Sequence, residues 1–367
     1  MEITADIKVS VIMPIYNAAS YLRPALDSAL DQTLSEIEII CVDDGSTDNS
    51  LEIIKEYQER DGRVRIITET NAGIGLARNN GMRRARGEYI AFLDADDFAE
   101  PAFLETLYNI AIKDNLDIAI AGYDLYNSRK SRFEPVTEAE NSNIFKQGKV
   151  TSKNEYPDHI LSSTTGAAWN KLFRRSFVEE KGLHFLQDVR IYEDVFFVTS
   201  AMSLAERVEK IDKVMIHHRI HSEQARVKFL NKYYHQIPFV YLKIKEFLVH
   251  NGMYAPLFRS YLNLSASRSN RIFNRLTGDE KKNFWNILHN EYAELLGWQG
   301  KDASDFDSDE LCRFVVFVQL YNFDEYKRRL NRKGELRVVG NVKQNIEIAK
   351  KKRRFRAFLS RIFKKNY

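Results

Sequence analysis

The sequence predicts an α/β protein: a mostly parallel sheet flanked by helices, then a smaller helical part and a basic tail. Three observations lead there. The first 125 residues alternate short β-branched runs with segments of helical periodicity, the pattern of a parallel sheet covered by helices. Beyond Ala225 the chain is rich in Tyr, Phe and Leu at helical spacing. From Asn341 to Tyr367, ten Lys and Arg stand against one acid, Glu347.

With 367 residues, the chain exceeds one ordinary domain and stays below three. Its 44% hydrophobic and 29% charged residues suit a folded globular chain with a large core. Strands are expected at Lys8–Met13, Glu38–Val42, Arg63–Thr68, Tyr89–Leu93 and Asp117–Ala121. Between them, Ser20–Gln32 and Asn49–Arg60 place apolar residues at helical spacing, and Pro101–Lys113 opens with proline in a first-turn position. The polar stretch Ser128–Lys153 reads as an excursion that shapes a cleft. The expected division is residues 1–225, 226–335 and 336–367.

In open α/β sheets, ligands bind beyond the carboxyl ends of the strands. Here those positions hold Pro14-Ile15-Tyr16-Asn17, Asp43-Asp44-Gly45-Ser46, Asn71-Ala72-Gly73 and Asp94-Ala95-Asp96-Asp97. The last is an apolar strand running into three carboxylates. Packing does not call for this, whereas Mg²⁺ or Mn²⁺ takes carboxylate oxygens together with substrate phosphate oxygens. An acidic turn capping the next helix would use the same residues. Asp44 could accept the N–H of a pyrimidine base, or its segment could simply start a helix. Gly73 and Gly75 permit close backbone approach, and Arg78 could face phosphate.

Together and in this order, VSVIMPIYN, VDDGSTD, NAGIGLARN and FLDADD resemble the family 2 glycosyltransferases, inverting enzymes of the GT-A fold, a Rossmann-like α/β architecture. The resemblance covers residues 7 to 225. It implies that Pro14, Tyr16 and Asn17 line a nucleoside pocket and that Asp44 holds the base, most often uracil. It further implies Gly73 and Arg78 beside the diphosphate, Asp94 and Ala95 at the ribose or donor sugar, and Asp96 on a divalent metal, with Asp97 as an alternate ligand. The segment Ala168–Arg175 resembles the family's wNKlyrr motif. There Trp169 is either a sugar platform or a half-buried aromatic, and Lys171 supplies charge. Tyr192-Glu193-Asp194 resembles the family's ED motif, with Asp194 as catalytic base and Glu193 orienting the acceptor. Around Val214–His221, His221 is the first choice for a metal or diphosphate contact and His217 the second. His218 stands where many relatives carry tyrosine.

The resemblance thus implies transfer of a sugar from a nucleotide-sugar donor, of UDP type, to a hydroxyl of a glycan or lipid-linked acceptor, assisted by Mn²⁺ or Mg²⁺. A non-catalytic nucleotide-sugar or carbohydrate-binding module on the same fold is the alternative. A Rossmann dehydrogenase would need GxGxxG after the first strand, where Pro14–Asn17 stand. An Asp-nucleophile phosphatase would place its carboxylates after the first strand, not the fourth.

The tail carries +9 and the remainder −5, so a basic body that tracks nucleic acid is not expected. Phe355, Phe358, Leu359, Ile362 and Phe363 share one helical face among basic residues, an interfacial amphipathic helix in sequence form. With no leader or membrane-spanning run, the chain is expected on the cytoplasmic side, peripheral at an anionic membrane surface. The two cysteines, Cys41 and Cys312, are expected as buried thiols. The Tyr- and Phe-rich stretch Tyr233–Tyr261 offers a surface for homo-oligomers.

Overall fold

The computed structural model describes residues 6–136, 144–146, 148–221 and 225–330. The expected tail, 336–367, the last residues of the helical part and a portion of the Ser128–Lys153 excursion lie outside the described residues.

The first half is built as its pattern demands. Strand β1 (Val9–Ile15) leads to helix α1 (Ala19–Leu30), β2 (Ile37–Asp43) to α2 (Ser50–Arg60), and β3 (Val64–Thr68) to α3 (Ile74–Arg84). Strand β4 (Tyr89–Phe92) continues through an acidic turn into the short β5 (Phe98–Ala99) and α4 (Phe103–Lys113). After them come β6 (Ile118–Asn127), β7 (Arg132–Glu134), β8 (Lys171–Arg174), α5 (Arg175–Glu180), α6 (Glu193–Leu204) and β9 (Val208–Ile220).

The described strands form one nine-stranded sheet in the order β3-β2-β1-β4-β8-β6-β9-β5, with β7 on β6. β3, β2, β1 and β4 pair in parallel, and β8 enters antiparallel between β4 and β6. Ile15 lies beside Asp43 and Ile12 beside Phe92, so Tyr16, Asp44 and Asp94 emerge at one edge. Because β8 runs the other way, the residues before it, Trp169 and Asn170, arrive at that edge too. The carboxyl end of β9 joins them through β5, where Phe98 pairs with His217.

All seven residues of β1 and of β2 are buried, as expected for strands covered on both faces. Val9, Val11 and Met13 pack with α1 and α4 residues such as Leu26 and Leu107. Ile12, Ile90 and Phe92 face a second cluster that includes Phe173, Phe185 and Phe197. Phe92 meets those three rings edge-on at 5.1–6.1 Å, contacts worth about 0.5–1.5 kcal/mol each beyond burial.

The second cluster runs on without a break into the helical part. That part comprises α7 (Ala225–Tyr233), α8 (Gln236–His250), α9 (Phe258–Arg275), α10 (Gly278–Ile287), a π-helical turn leading to α11 (Ala293–Leu295), α12 (Asp309–Leu320) and α13 (Phe323–Leu330). Its aromatic residues are largely spent inside: Tyr241, Tyr261, Trp285 and Trp298 have no exposed surface. Cys41 and Cys312 are both buried and unpaired. No helix among the described residues is long and apolar enough to cross a membrane.

Candidate active site

The site grows from the loop ends at the common sheet edge. Asp44 follows β2 and accepts two backbone N–H groups of the next loop, from Ala72 at 2.7 Å and Gly73 at 2.9 Å. That fastens the turn before α3. Asn17, with φ of 49°, accepts the N–H of Thr47 at 2.7 Å, while its own N–H donates to Ser46 Oγ at 3.1 Å. The amide of Asn17 is therefore used to hold the β1 and β2 loops together. Pro14 is buried within β1, whereas Tyr16 is 51% exposed at its end, a flat ring open to a ligand.

Arg78, on the first turns of α3, is the electrostatic centre. Its guanidinium is 2% exposed, donating from Nη2 to Asp94 Oδ1 at 2.6 Å and from Nη1 to Glu193 Oε1 at 2.7 Å. Burial works against its charge, but Asp94, Glu193 and Asp194 outweigh it and hold its pKa above the usual arginine value. Its Nε–H is buried and has no hydrogen-bond partner among the described residues.

Glu193 and Asp194 begin α6, directly after Tyr192, a left-handed residue with φ of 68°. Such backbone costs about 1–3 kcal/mol and persists where surrounding packing enforces it. Packing does so here. Phe185 and Asn79 exchange two hydrogen bonds of 2.9 Å, and Phe185 stacks on Phe197 at 4.2 Å. A methyl group on Gly75 would lie 2.2 Å from the Leu186 carbonyl oxygen, so segment 185–192 crosses immediately over the start of α3. Asp194 accepts the N–H of Val195 at 2.8 Å. Protein packed around its partly exposed carboxyl, with Glu193 and Asp94 adding repulsion and Arg78 opposing, pushes its pKa up to about 7.

The acidic turn after β4 meets the end of β9. Asp97 is fully buried, accepting from His218 Nδ1 at 3.0 Å and from the Arg219 N–H at 2.8 Å. Burial pushes Asp97 up to about 6 against the pull of His218. Burial also disfavours the His218 imidazolium, but Asp97, Asp96 and Asp94 together raise it to about 9. Arg219 Nε donates to the Asp96 carbonyl at 2.7 Å, and His221 Nε2 lies 2.9 Å from Asp96 Oδ2.

Oxygens of Asp94, Asp96 and Asp97 lie within 4.8 Å of one another. Asp97 is already committed on both oxygens. Asp94 and Asp96 remain partly exposed, and each has one oxygen engaged by a single partner, Arg78 or His221. This donor set of hard, accessible carboxylates fits Mg²⁺ or Mn²⁺ with phosphate oxygens and water completing the shell.

Two expectations need correction, and one open alternative is decided. Lys171, expected to supply charge to the cleft, has no exposed surface, and its ammonium donates to the carbonyls of Thr165 and Ala167 and to Asn170 Oδ1 at 2.8–3.0 Å. It closes the loop before β8. His217, the second choice for metal, sits between Asp124 at 2.6 Å and Glu100 at 2.9 Å, apart from the Asp94–Asp97 cluster. Strand alternation sends it to the opposite side from His218. Trp169 is 6% exposed, with one face stacked on His218 at 5.3 Å, which favours the buried-aromatic alternative over an open platform. The Asp97–His218 pair and the Arg219–Asp96 contact carry no local sequence signal, since the pairing of β9 with β5 and β6 creates them.

The fold and the clustered loops define an α/β domain with an acidic centre at the strand ends. Residues 10–208 match the family described as Glycosyl transferase family 2, and the chain belongs to that family. It is 38% identical over 210 residues to the uncharacterized glycosyltransferase EpsJ of Bacillus subtilis, covering 56% of this chain and 59% of EpsJ. It is 32% identical over 235 residues to glycosyltransferase GlyA of Streptococcus pneumoniae, covering 63% of this chain and 33% of GlyA. The chain thus spans less than two thirds of either relative. In fold it is similar to residues 1–349 of S. aureus TarS, crystallised in complex with UDP, with a TM-score of 0.67, 21% identity and coverage of 87% and 89% of the two chains.

Proposed function

We propose that the chain transfers a sugar from a nucleoside diphosphate donor to an acceptor hydroxyl, with inversion at the anomeric carbon. The observation that carries this reading is Arg78, whose one guanidinium joins Asp94 of the acidic turn to Glu193 of the acidic pair. It fixes a donor-side carboxylate and the base-side pair in one frame.

On the donor side, Tyr16 offers a ring to the base, and Asp44 shapes the loop at Ala72 and Gly73 around it. A divalent cation would be held by Asp96 and Asp94, and bound there it supplies neutralisation of the charge gathering on the leaving diphosphate. On the acceptor side, Asp194 takes the proton of the accepting hydroxyl as that oxygen bonds to the anomeric carbon. The bond from that carbon to the diphosphate oxygen breaks, and the nucleoside diphosphate departs. A base with a pKa of about 7 is matched to this work near neutral pH. Glu193, neutralised by Arg78, orients rather than abstracts. UDP is the favoured nucleotide, as the TarS complex contains it.

The acceptor is proposed to be a glycan or lipid-linked saccharide reached at the inner face of a membrane. The basic amphipathic segment 355–363, outside the described residues, would dock there. Co-sedimentation with anionic liposomes should be lost in a chain ending at Gly340, and equal pelleting would remove the membrane from the reading.

The enzyme itself is tested by supplying UDP-, GDP- and dTDP-sugars with Mn²⁺ or Mg²⁺ and acceptor saccharides, and reading nucleotide release. Metal-dependent release from one donor, abolished in Asp96→Ala, supports transfer. Metal-dependent donor binding without release under every acceptor would favour a binding module instead.

A further inference from the structure

We infer that Arg190 is a donor-binding residue that pairs with the phosphates of the nucleotide from across the α3 amino terminus. The inference rests on the nucleotide-dependent reading above and adds to it a residue that no motif singled out.

Segment 185–192 is pinned over α3 by the Asn79–Phe185 bonds and by Gly75 against Leu186. Arg190, near the end of this strap, lays its guanidinium directly on Gly73, where a methyl group would stand 2.8 Å from Nη1. Gly73, with φ of 105°, is the residue that caps α3, and its N–H and that of Ala72 are fixed by Asp44. The strap is also anchored from the helical part, since the Arg190 N–H donates to Gln236 Oε1 at 2.8 Å.

The other arginines of the site are committed: Arg78 to Asp94 and Glu193, Arg219 to the Asp96 carbonyl. Arg190 is exposed, and no carboxylate of the described residues pairs with its guanidinium. The site is crowded with carboxylates, Asp44, Asp94, Asp96, Asp97, Glu193 and Asp194, so an incoming diphosphate needs cationic partners besides a metal. A guanidinium presents paired N–H donors matched to phosphate oxygens, which lysine does not. Its seat on Gly73, one loop from Asp44, places this charge on the nucleotide side of the cleft.

Calorimetric titration of the full chain with UDP, GDP, dTDP and the matching nucleosides, with Mn²⁺ present, tests it. For whichever diphosphate the wild type binds, Arg190→Gln should weaken affinity about tenfold while leaving the nucleoside within about twofold, and Arg190→Lys should recover part of the loss. Equal diphosphate affinity in wild type and Arg190→Gln would overturn the assignment, as would an equal loss for diphosphate and nucleoside. A wild-type chain that binds none of the three diphosphates would instead bring down the nucleotide-dependent reading, and the assignment with it.

Discussion

Arg78 and Glu193 are 115 residues apart in sequence and 2.7 Å apart in space, and the pair locks helix α3 to the start of α6. Both partners are buried, so neither can fall back on water. Replacing Arg78 with Met leaves Glu193 and Asp94 without their shared cation. A loss of about 3–5 kcal/mol in urea-unfolding stability is expected, as for other broken buried pairs, together with loss of turnover. Stability within about 1 kcal/mol of wild type would show that the two carboxylates find other partners.

Asp194 links activity to stability. Its pKa rises from 3.8 to about 7 on folding, so between those values the folded chain holds a proton that the unfolded chain has released. The stability from that proton is full below the unfolded pKa and is lost as pH rises through about 7. Asp194→Asn should therefore melt higher than wild type at about pH 8, with the gain shrinking toward acid. Thermal melts of both proteins across this range check the sign.

Gly75 has no room for a side chain, because Leu186 carbonyl oxygen would lie 2.2 Å from an added methyl carbon. Backbone on that side cannot rotate away as a long side chain could. Gly75→Ala should displace the 185–192 strap, cost about 1–3 kcal/mol, and reduce turnover by misplacing Glu193 and Asp194. Wild-type melting and turnover would mean that the strap is not held as described.

Lys171 distinguishes a buried structural cation from a donor contact. Lys171→Met removes the donor to two carbonyls and one side-chain amide oxygen, an expected cost of about 1–3 kcal/mol or more. Donor affinity of the folded protein should stay within about twofold. Weakened donor affinity at unchanged stability would return Lys171 to the cleft.

The parts of this architecture that the sequence displayed are those made by neighbours in the chain. Strands β1 to β4 showed themselves through β-branched runs, and the loops after them through carboxylates and glycines that packing does not need. The acidic turn was legible for the same reason, and the Glu193–Asp194 pair through its resemblance to the family's ED motif. What stayed hidden depends on pairing across long separations. His218 reaches Asp97, and Arg219 the Asp96 carbonyl, because β9 pairs with β5 on one side and β6 on the other. A lysine in a basic motif gives no local sign of facing inward, as Lys171 does. Gly75 was legible as a close approach, but the approaching group is the chain's own Leu186.

The most direct test is nucleotide release from the accepted donor by wild type and Asp194→Asn, with metal and acceptor saturating, from about pH 5 to about pH 9. Wild-type turnover should rise through about pH 7 as Asp194 loses its proton, and the Asn variant should bind donor normally yet turn over at least about 100-fold more slowly, without that rise. An Asn variant that keeps wild-type turnover and the same pH profile would contradict Asp194 as the base.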